Sequence, residues 1–341
     1  MYHMKEISVG RVEEGQRLDR FLGKCLPNAS GGFLHKMLRK KNIKLNGKRA
    51  VGSETIQSGD RIQIFFSDET FEKFSSRPSH SNPGEGNQEK PHRRELTGEQ
   101  IRLRSKVKIL FKDDDIVILH KPAGMLSQKS VQKDDSLNDY LLDLCRDMGW
   151  LSEESMEHFR PSVANRLDRN TSGIVLCGIS TKGLQFLSRI LKERDLSKYY
   201  LALVAGTVPK SCLIKGYLTK DEKKNKALFS ETPREGSVPI ETEYHVLAAG
   251  DKVTLLKIRL ITGKSHQIRA HLAAEGYPIL GDPKYGDREI NRRMKKKLDI
   301  SYQLLHAYEI DFDKHYDGLV INDPMPDVFR RVLDFCDVDF S

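Results

Sequence analysis

The sequence predicts an α+β protein made of a small helix-and-strand module followed by a larger domain with a mixed, mostly antiparallel sheet. Three observations carry this expectation. Apolar residues switch between helical spacing and strict alternation along the chain. Beyond residue 105, strand-like segments outnumber helical ones, and several are joined by short turns. Between the two parts, residues 71–100 hold only Phe71, Phe74 and Leu96 as apolar side chains.

The elements of the first part, residues 11–66, follow in order. Leu18, Phe21, Leu22 and Cys25 fall at i, i+3, i+4 and i+7, which is one face of a short helix. Ser30 can cap a second helix that carries Phe33, Leu34, Met37 and Leu38 on one side. Ile43-Lys44-Leu45 alternates like a strand, and Asn46-Gly47 is a type I′ hairpin signal. A strand at Arg61–Phe66 follows Gly59-Asp60. Residues 67–104 contain Pro78, Pro83 and Pro91 among many polar residues, and are expected to be a flexible polar linker.

The second part, residues 105–341, opens with strands at 108–111 and 116–119 around Asp113-Asp114-Asp115. Further strands are expected at 173–177, 199–204, 241–247 and 252–259, and helices at 137–148, 181–192 and 267–275. No internal repeat is present.

Composition excludes several classes. The chain has 341 residues, 57 Lys and Arg against 48 Asp and Glu, and a formal net charge of +9. That length suffices for a core without metal or disulfide staples. Five scattered cysteines with no C-x-x-C pair support neither a zinc site nor a disulfide framework. No apolar run approaches the roughly 18 residues of a spanning helix. The N-terminal residues lack the apolar core of a secretory signal, so a cytoplasmic location is expected. Signatures of phosphate-binding loops, dinucleotide folds, nucleophile elbows and zinc base deaminases are missing.

Positive charge is concentrated at one place. Lys36, Arg39, Lys40, Lys41, Lys44, Lys48 and Arg49 lie between His35 and Ala50 with no acid among them. A solvated helix end explains such a run, and so does a platform for phosphates.

Two segments are loaded with chemistry. In Asn165-Arg166-Leu167-Asp168-Arg169-Asn170-Thr171-Ser172-Gly173, an aspartate sits between two arginines, where nearby positive charge favours the carboxylate. An ionised carboxylate there can be a nucleophile, a base or part of an Asx turn before the strand. In Gly263-Lys264-Ser265-His266-Gln267-Ile268-Arg269-Ala270-His271, polar side chains cluster where a helix begins. The i, i+5 spacing of its histidines does not suit a zinc helix. Two smaller segments join them. Lys121-Pro122-Ala123-Gly124 reads as a turn. In the strand Lys198–Val204, Tyr199 and Tyr200 face opposite ways, so one can pack in the core and the other stack on a base.

Taken together these segments resemble the RluA-type family of pseudouridine synthases. Residues 161–178 are similar to its R-L-D-x-x-T-S-G core. Lys121-Pro122-x-Gly124, Lys198-x-Tyr200-x-Ala202-x-Val204 and Gly263-Lys264-x-His266-Gln267-Ile268-Arg269-x-His271-Leu272 are similar to its other motifs, in the family's order. The last continues into Pro278-Ile279-x-Gly281-Asp282-x-x-Tyr285-Gly286. The first module resembles the S-four-type RNA-binding domain, with its R-L-D-x-x-L opening and I-x-x-N-G hairpin. That combination resembles the branch acting on large-subunit ribosomal RNA.

The resemblance implies a catalytic domain with a central RNA cleft, isomerising uridine to pseudouridine in structured RNA after flipping the base. Asp168 is implied as nucleophile or base. Tyr200 is implied to stack on the uracil and assist proton abstraction, and Arg269 to pair with Asp168. Arg39, Lys40, Lys41, Arg166, Arg169 and Lys264 are the expected RNA contacts. The resemblance implies a monomer, with no metal, cofactor or membrane. Asn165 stands where the family usually has His, Lys264 where it has Arg, and Ser30-Gly31-Gly32 where the module has Ser-Arg. The alternatives are a non-catalytic RNA-binding or ribosome-assembly protein on the same fold, and a nucleoside glycosidase, in which the basic module has no job.

Overall fold

In the computed structural model, residues 2–75, 95–221 and 226–340 are described. The first part folds as a four-stranded sheet with helices against it. Its elements are β1 (Tyr2–Ser8), α1 (Leu18–Cys25), α2 (Gly31–Arg39), β2 (Ile43–Leu45), β3 (Lys48–Arg49), β4 (Arg61–Ser67) and α3 (Asp68–Ser75). The sheet order is β1-β4-β2-β3. Leu18, Phe21 and Leu22 of α1 and Leu34 and Leu38 of α2 pack with Ile43, Ile62 and Ile64 into a core of their own. The Ser30 hydroxyl accepts from Phe33 N at 3.2 Å and caps α2. Asn46 and Gly47 have φ of 52° and 75°, the two positive values of a type I′ turn between β2 and β3.

The reading that this module begins at residue 11 needs extension. Strand β1 pairs antiparallel with β4, from Ser8 opposite Arg61 to Tyr2 opposite Ser67. It is an edge strand with Met4, Lys5 and Glu6 all exposed, so no buried alternation marks it in the sequence.

The expected linker also differs at both ends. Helix α3 packs Phe71 and Phe74 onto the small core. Helix α4 (Gly98–Arg104) starts with a capping box between Thr97 and Gln100. It is fastened by Arg104, which forks onto Asp135 and reaches Asp143 at 2.7 Å. The middle of the stretch, residues 76–94, lies outside the described residues.

The second part holds β5 (Lys108–Lys112), β6 (Ile116–Lys121), α5 (Leu137–Asp147), α6 (Glu153–His158), β7 (Ser162–Val163), β8 (Ser172–Gly178), α7 (Thr181–Glu193) and β9 (Ser197–Ala205). There follow β10 (Cys212–Asp221), β11 (Lys226–Ser230), β12 (Val238–Ala249), β13 (Val253–Leu260), α8 (Gln267–Ala274), α9 (Arg288–Leu298), β14 (Leu305–Asp311), β15 (Val320–Asn322) and α10 (Asp327–Phe335). Nine strands run in the order β11-β10-β12-β13-β9-β14-β8-β6-β5, with β15 on β14 and β7 on β8. Among the strand pairs of the described residues only β14–β8 is parallel, so the sheet is mixed and mostly antiparallel.

The parallel pairing positions the site. Gly173 has φ +114°, and a Cβ there would lie 2.2 Å from the Ala307 carbonyl oxygen. Only glycine lets β8 start this close to β14. Ala307 faces Gly173 on one side and Tyr200 of β9 on the other. The loop preceding β8 is therefore set across β14 from Tyr200.

The two parts touch. Thr181 N donates to Val12 O at 3.0 Å, Gln185 Nε2 to Gly15 O at 3.0 Å, and Phe21 lies 5.1 Å from the His158 ring. No helix of the described residues is long and apolar enough to cross a membrane.

Candidate active site

A cavity of about 540 Å³ opens between the 164–171 loop, β9 and the 261–269 segment. Asp168, Tyr200 and Arg269 all line it, although 101 residues separate Asp168 from Arg269. Arg166, Arg169 and Lys264 line it as well and are exposed. Arg39, Lys40 and Lys41 lie instead at the end of α2 in the small unit, exposed and outside the cavity lining.

Arg269 is the centre of the charge arrangement. Its Nε and Nη2 donate to the two oxygens of Asp282, at 2.7 and 2.9 Å, and its Nη1 donates to Asp168 Oδ2 at 2.7 Å. The Arg269 side chain is 5% exposed, Asp282 is fully buried, and Asp168 is 26% exposed. Asp168 Oδ1 makes no hydrogen bond among the described residues. Burial alone lowers the Arg269 pKa, but the hydrogen bonds and charges of the two carboxylates outweigh it and raise the value. Burial pushes the Asp282 carboxyl up, yet the Arg269 hydrogen bond and charge, with the Lys284 and Tyr285 amides, hold it below the ordinary carboxylate value.

The Asp168–Arg269 pair is the one the family resemblance implies. The arginines flanking Asp168 in sequence make no ion pair with it among the described residues; its partner comes from α8. Nor does the Asp168 side chain close an Asx turn, since Thr171 N bonds the Asp168 main-chain oxygen at 3.1 Å. Adjacent residues on a turn point apart, and a buried fork from another element reaches the carboxylate more directly.

Helix α8 can present Arg269 because it is buried on every side, with Gln267, Ile268, Ala270, His271 and Leu272 all covered. Its N-cap, His266, has a left-handed φ of 57°. Gln267 ties the turn down by donating to Glu241 O at 3.0 Å and accepting from Thr262 and Lys264. His266 Nε2 lies 3.9 Å from Asp168 Oδ2 while its Nδ1 meets the Tyr285 hydroxyl at 3.0 Å. Burial lowers its pKa, opposed by the Asp168 charge, so the ring is neutral near pH 7. His271 is fully buried, with Nδ1 at 3.0 Å from the Thr242 hydroxyl and its ring 4.8 Å from Phe229.

Tyr200 and Tyr199 divide as the strand alternation requires. Tyr200 is buried at the cavity wall, while Tyr199 carries Lys257 Nζ 4.5 Å over its ring. Burial, and after it the Asp168 charge, push the Tyr200 phenol well up, so it is a neutral phenol near pH 7.

Three contributions were not legible from local sequence. Lys121, in the expected turn, is fully buried and donates to the carbonyls of Pro122, Met125 and Arg169 at 3.2, 2.8 and 3.0 Å. It uses all three ammonium hydrogens to tie the Asp168 loop to β6. Burial pushes its pKa down to about 7, with the Asp168 charge pulling back. Asn165 Oδ1 accepts from Leu176 N at 2.7 Å, which fixes the start of the loop to β8. Asp282 lies in a segment whose role pattern alone does not reveal; the Gly-Asp-Pro turn was the only local signal.

Comparison with known proteins agrees with this geometry. The RNA pseudouridylate synthase profile matches residues 115–274. A protein of Mycoplasma genitalium described as an uncharacterised RNA pseudouridine synthase is 30% identical over 90% of this chain and 88% of its own length. The chain belongs to the RNA pseudouridine synthase family. It is therefore an enzyme that converts uridine in RNA to pseudouridine. Ribosomal large subunit pseudouridine synthase C of Pasteurella multocida is 28% identical over 97% of this chain and 93% of its own. The human protein RNA pseudouridylate synthase domain containing 4 shares the fold, with a TM-score of 0.57 and 21% identity over 70% of this chain and 95% of that one.

Proposed function

We propose that this pseudouridine synthase acts on large-subunit ribosomal RNA as a cytoplasmic monomer, with Asp168, Tyr200 and Arg269 as its reacting centre. The observation that carries the site is the Asp282–Arg269–Asp168 chain beside Tyr200 in one cavity. The substrate reading rests on relatives from several bacteria named ribosomal large subunit pseudouridine synthase C, aligned over nearly the whole chain.

The reaction breaks the N-glycosidic bond, turns the uracil and rejoins it through carbon 5. Asp168 enters it with one oxygen held by Arg269 and the other available to the nucleotide. Such a carboxylate serves either as nucleophile or as proton acceptor. Arg269 is a positioning residue as well as a counter-charge, because Asp282 locks its fork against rotation. Tyr200 offers its ring to the uracil face. The Asp168 charge is one of the two influences that keep Tyr200 protonated.

Arg166, Arg169 and Lys264 at the rim supply phosphate contacts or a wedge that holds the target base out of its stack. The first part, with β1 and α3 included, forms the RNA-docking module, with Arg39, Lys40 and Lys41 meeting phosphates, and the part from α4 onward forms the catalytic domain.

The test is tritium release from unmodified large-subunit ribosomal RNA labelled at carbon 5 of uracil. Release by the wild type and none by Asp168→Asn is expected. Equal release from both proteins removes Asp168 from the reaction, and no release by the wild type removes this RNA as substrate.

A further inference from the structure

Helix α9, Arg288–Leu298, has a composition the fold does not explain. Arg288, Arg292, Arg293, Lys295, Lys296 and Lys297 are all exposed, against the single acid Glu289. Glu289 reaches only Arg292, at 3.8 Å, between side chains 86% and 80% exposed. The helix is held without these cations. Ile290, Met294 and Leu298, spaced by four, pack on the core formed with Leu280, Leu304 and Phe329. Asp287 caps it by accepting from Glu289 N and Ile290 N, both at 2.8 Å.

The cations work against the helix. Arg288 occupies its first turn, where the macrodipole disfavours positive charge. Arg288 and Arg292, Arg292 and Lys296, and Arg293 and Lys297 are like charges four apart, which repel. Only Lys295–Lys297 have the helix C-terminus in their favour. A solvated face needs no such concentration.

The helix is also fastened to the site. Asn291 Oδ1 accepts from Gly281 N and its Nδ2 donates to Asp282 O, both at 2.8 Å. Asp282 is the residue that locks Arg269. Tyr285, two residues before the cap, touches His266 in the cavity wall. Positive charge continues between them. Lys226 Nζ sits 5.5 Å over the Tyr285 ring, and the Lys284 charge acts on His266.

We propose that the exposed face of α9 docks the phosphate backbone of the RNA whose uridine enters the cavity, a second electrostatic contact apart from the residue 39–41 cluster. This rests on the RNA reading of the cavity. Its function is to hold the duplex or loop flanking the target while the base is extruded. An acidic protein face is the competing occupant, and it leaves RNA affinity independent of these residues.

The experiment measures Kd of the full chain for unmodified large-subunit ribosomal RNA from low to high salt. It compares the wild type with Arg292→Gln/Arg293→Gln/Lys296→Gln/Lys297→Gln. Each lost phosphate contact reduces the slope of log affinity against log salt by about 0.7–0.9. A slope shallower by roughly two or more, with affinity at low salt down at least about tenfold, is expected. Should the fourfold variant melt early, Arg292→Gln/Arg293→Gln serves, since it relieves repulsion and is expected to lower the slope by about one. An unchanged slope in either folded variant, or no salt-dependent binding by the wild type, overturns the proposal. Tritium release by the wild type is read in parallel. Release with an unchanged slope sinks α9 alone; a reduced slope without release sinks the ribosomal substrate and leaves α9 as an RNA-docking face.

Discussion

Arg104 and Arg269 each bridge two aspartates with nearly the same geometry, yet they serve different ends. Arg104 forks onto Asp135 at 3.0 and 2.6 Å and reaches Asp143 at 2.7 Å. Arg269 forks onto Asp282 at 2.7 and 2.9 Å and reaches Asp168 at 2.7 Å. In each cluster the forked carboxylate is covered and the second is about a quarter exposed, 28% for Asp143 and 26% for Asp168. The difference lies in what the second carboxylate does next. Asp143 has its other oxygen bound by Arg146 at 3.3 Å, so both its oxygens are taken by arginines. Asp168 keeps an oxygen free beside a cavity that also holds Tyr200. The same arginine–carboxylate triad thus closes on itself at Asp143 and leaves one oxygen open towards the cavity at Asp168.

That contrast can be broken by substitution. Asp168→Asn is expected to have the largest effect, a fall of about four or more orders of magnitude in tritium release, as for removal of a catalytic group. RNA affinity stays within a few-fold of wild type. Loss of RNA binding in step with activity would make Asp168 a binding residue.

Asp282→Asn comes next. It leaves the buried Arg269 short of a counter-charge, which costs about 3–5 kcal/mol of stability. It also lets Arg269 swing, which lowers activity by about 100-fold. The acid limb of the stability curve should change with it. The folded Asp282 carboxyl is held below its ordinary value. Its contribution is thus complete above the unfolded value near pH 4 and disappears as pH falls through the folded one. Urea melts of Asp282→Asn between pH 5 and 2 should show a shallower acid loss than the wild type.

Arg104→Met sharpens the comparison from the other side. It exposes two facing carboxylates and releases α4, at about 2–4 kcal/mol of stability. Tritium release per folded molecule stays at the wild-type level, because neither Asp135 nor Asp143 lines the cavity. A hundredfold loss of activity would show that the two triads are coupled.

The smallest effect is expected at Asn165→Ala. It leaves Leu176 N without its acceptor, at about 1–2 kcal/mol, and slackens the Asp168 loop enough to reduce activity by less than about tenfold. Thermal melts and initial rates separate these outcomes.

Much of the local structure was legible from residue pattern. Helices α1, α2, α5, α7 and α8 begin and end close to the expected positions, and Ser30 caps α2 as its place before the apolar stripe suggests, because such signals act within one turn. Asn46-Gly47 specified its turn through the positive φ both residues tolerate. The order of the motifs singled out Asp168, Tyr200 and Arg269 as candidates. Edge strand β1, helix α4 and the cationic helix α9 were not legible. The first has few buried side chains to betray it. The second is held by one arginine whose partners are 31 and 39 residues away.

The sequence by itself determined the α+β class, the helices with caps and apolar stripes, and the residue types the reaction needs. Those properties depend on neighbours within a few positions. The tertiary structure alone decided that Arg269 is locked by Asp282. It also decided that Tyr200 faces the Asp168 loop across Ala307, through a register fixed by a glycine with no room for a Cβ. Pairings over such separations follow from which strands lie side by side, and burial then makes a charge seek the partner that closes its hydrogen bonds.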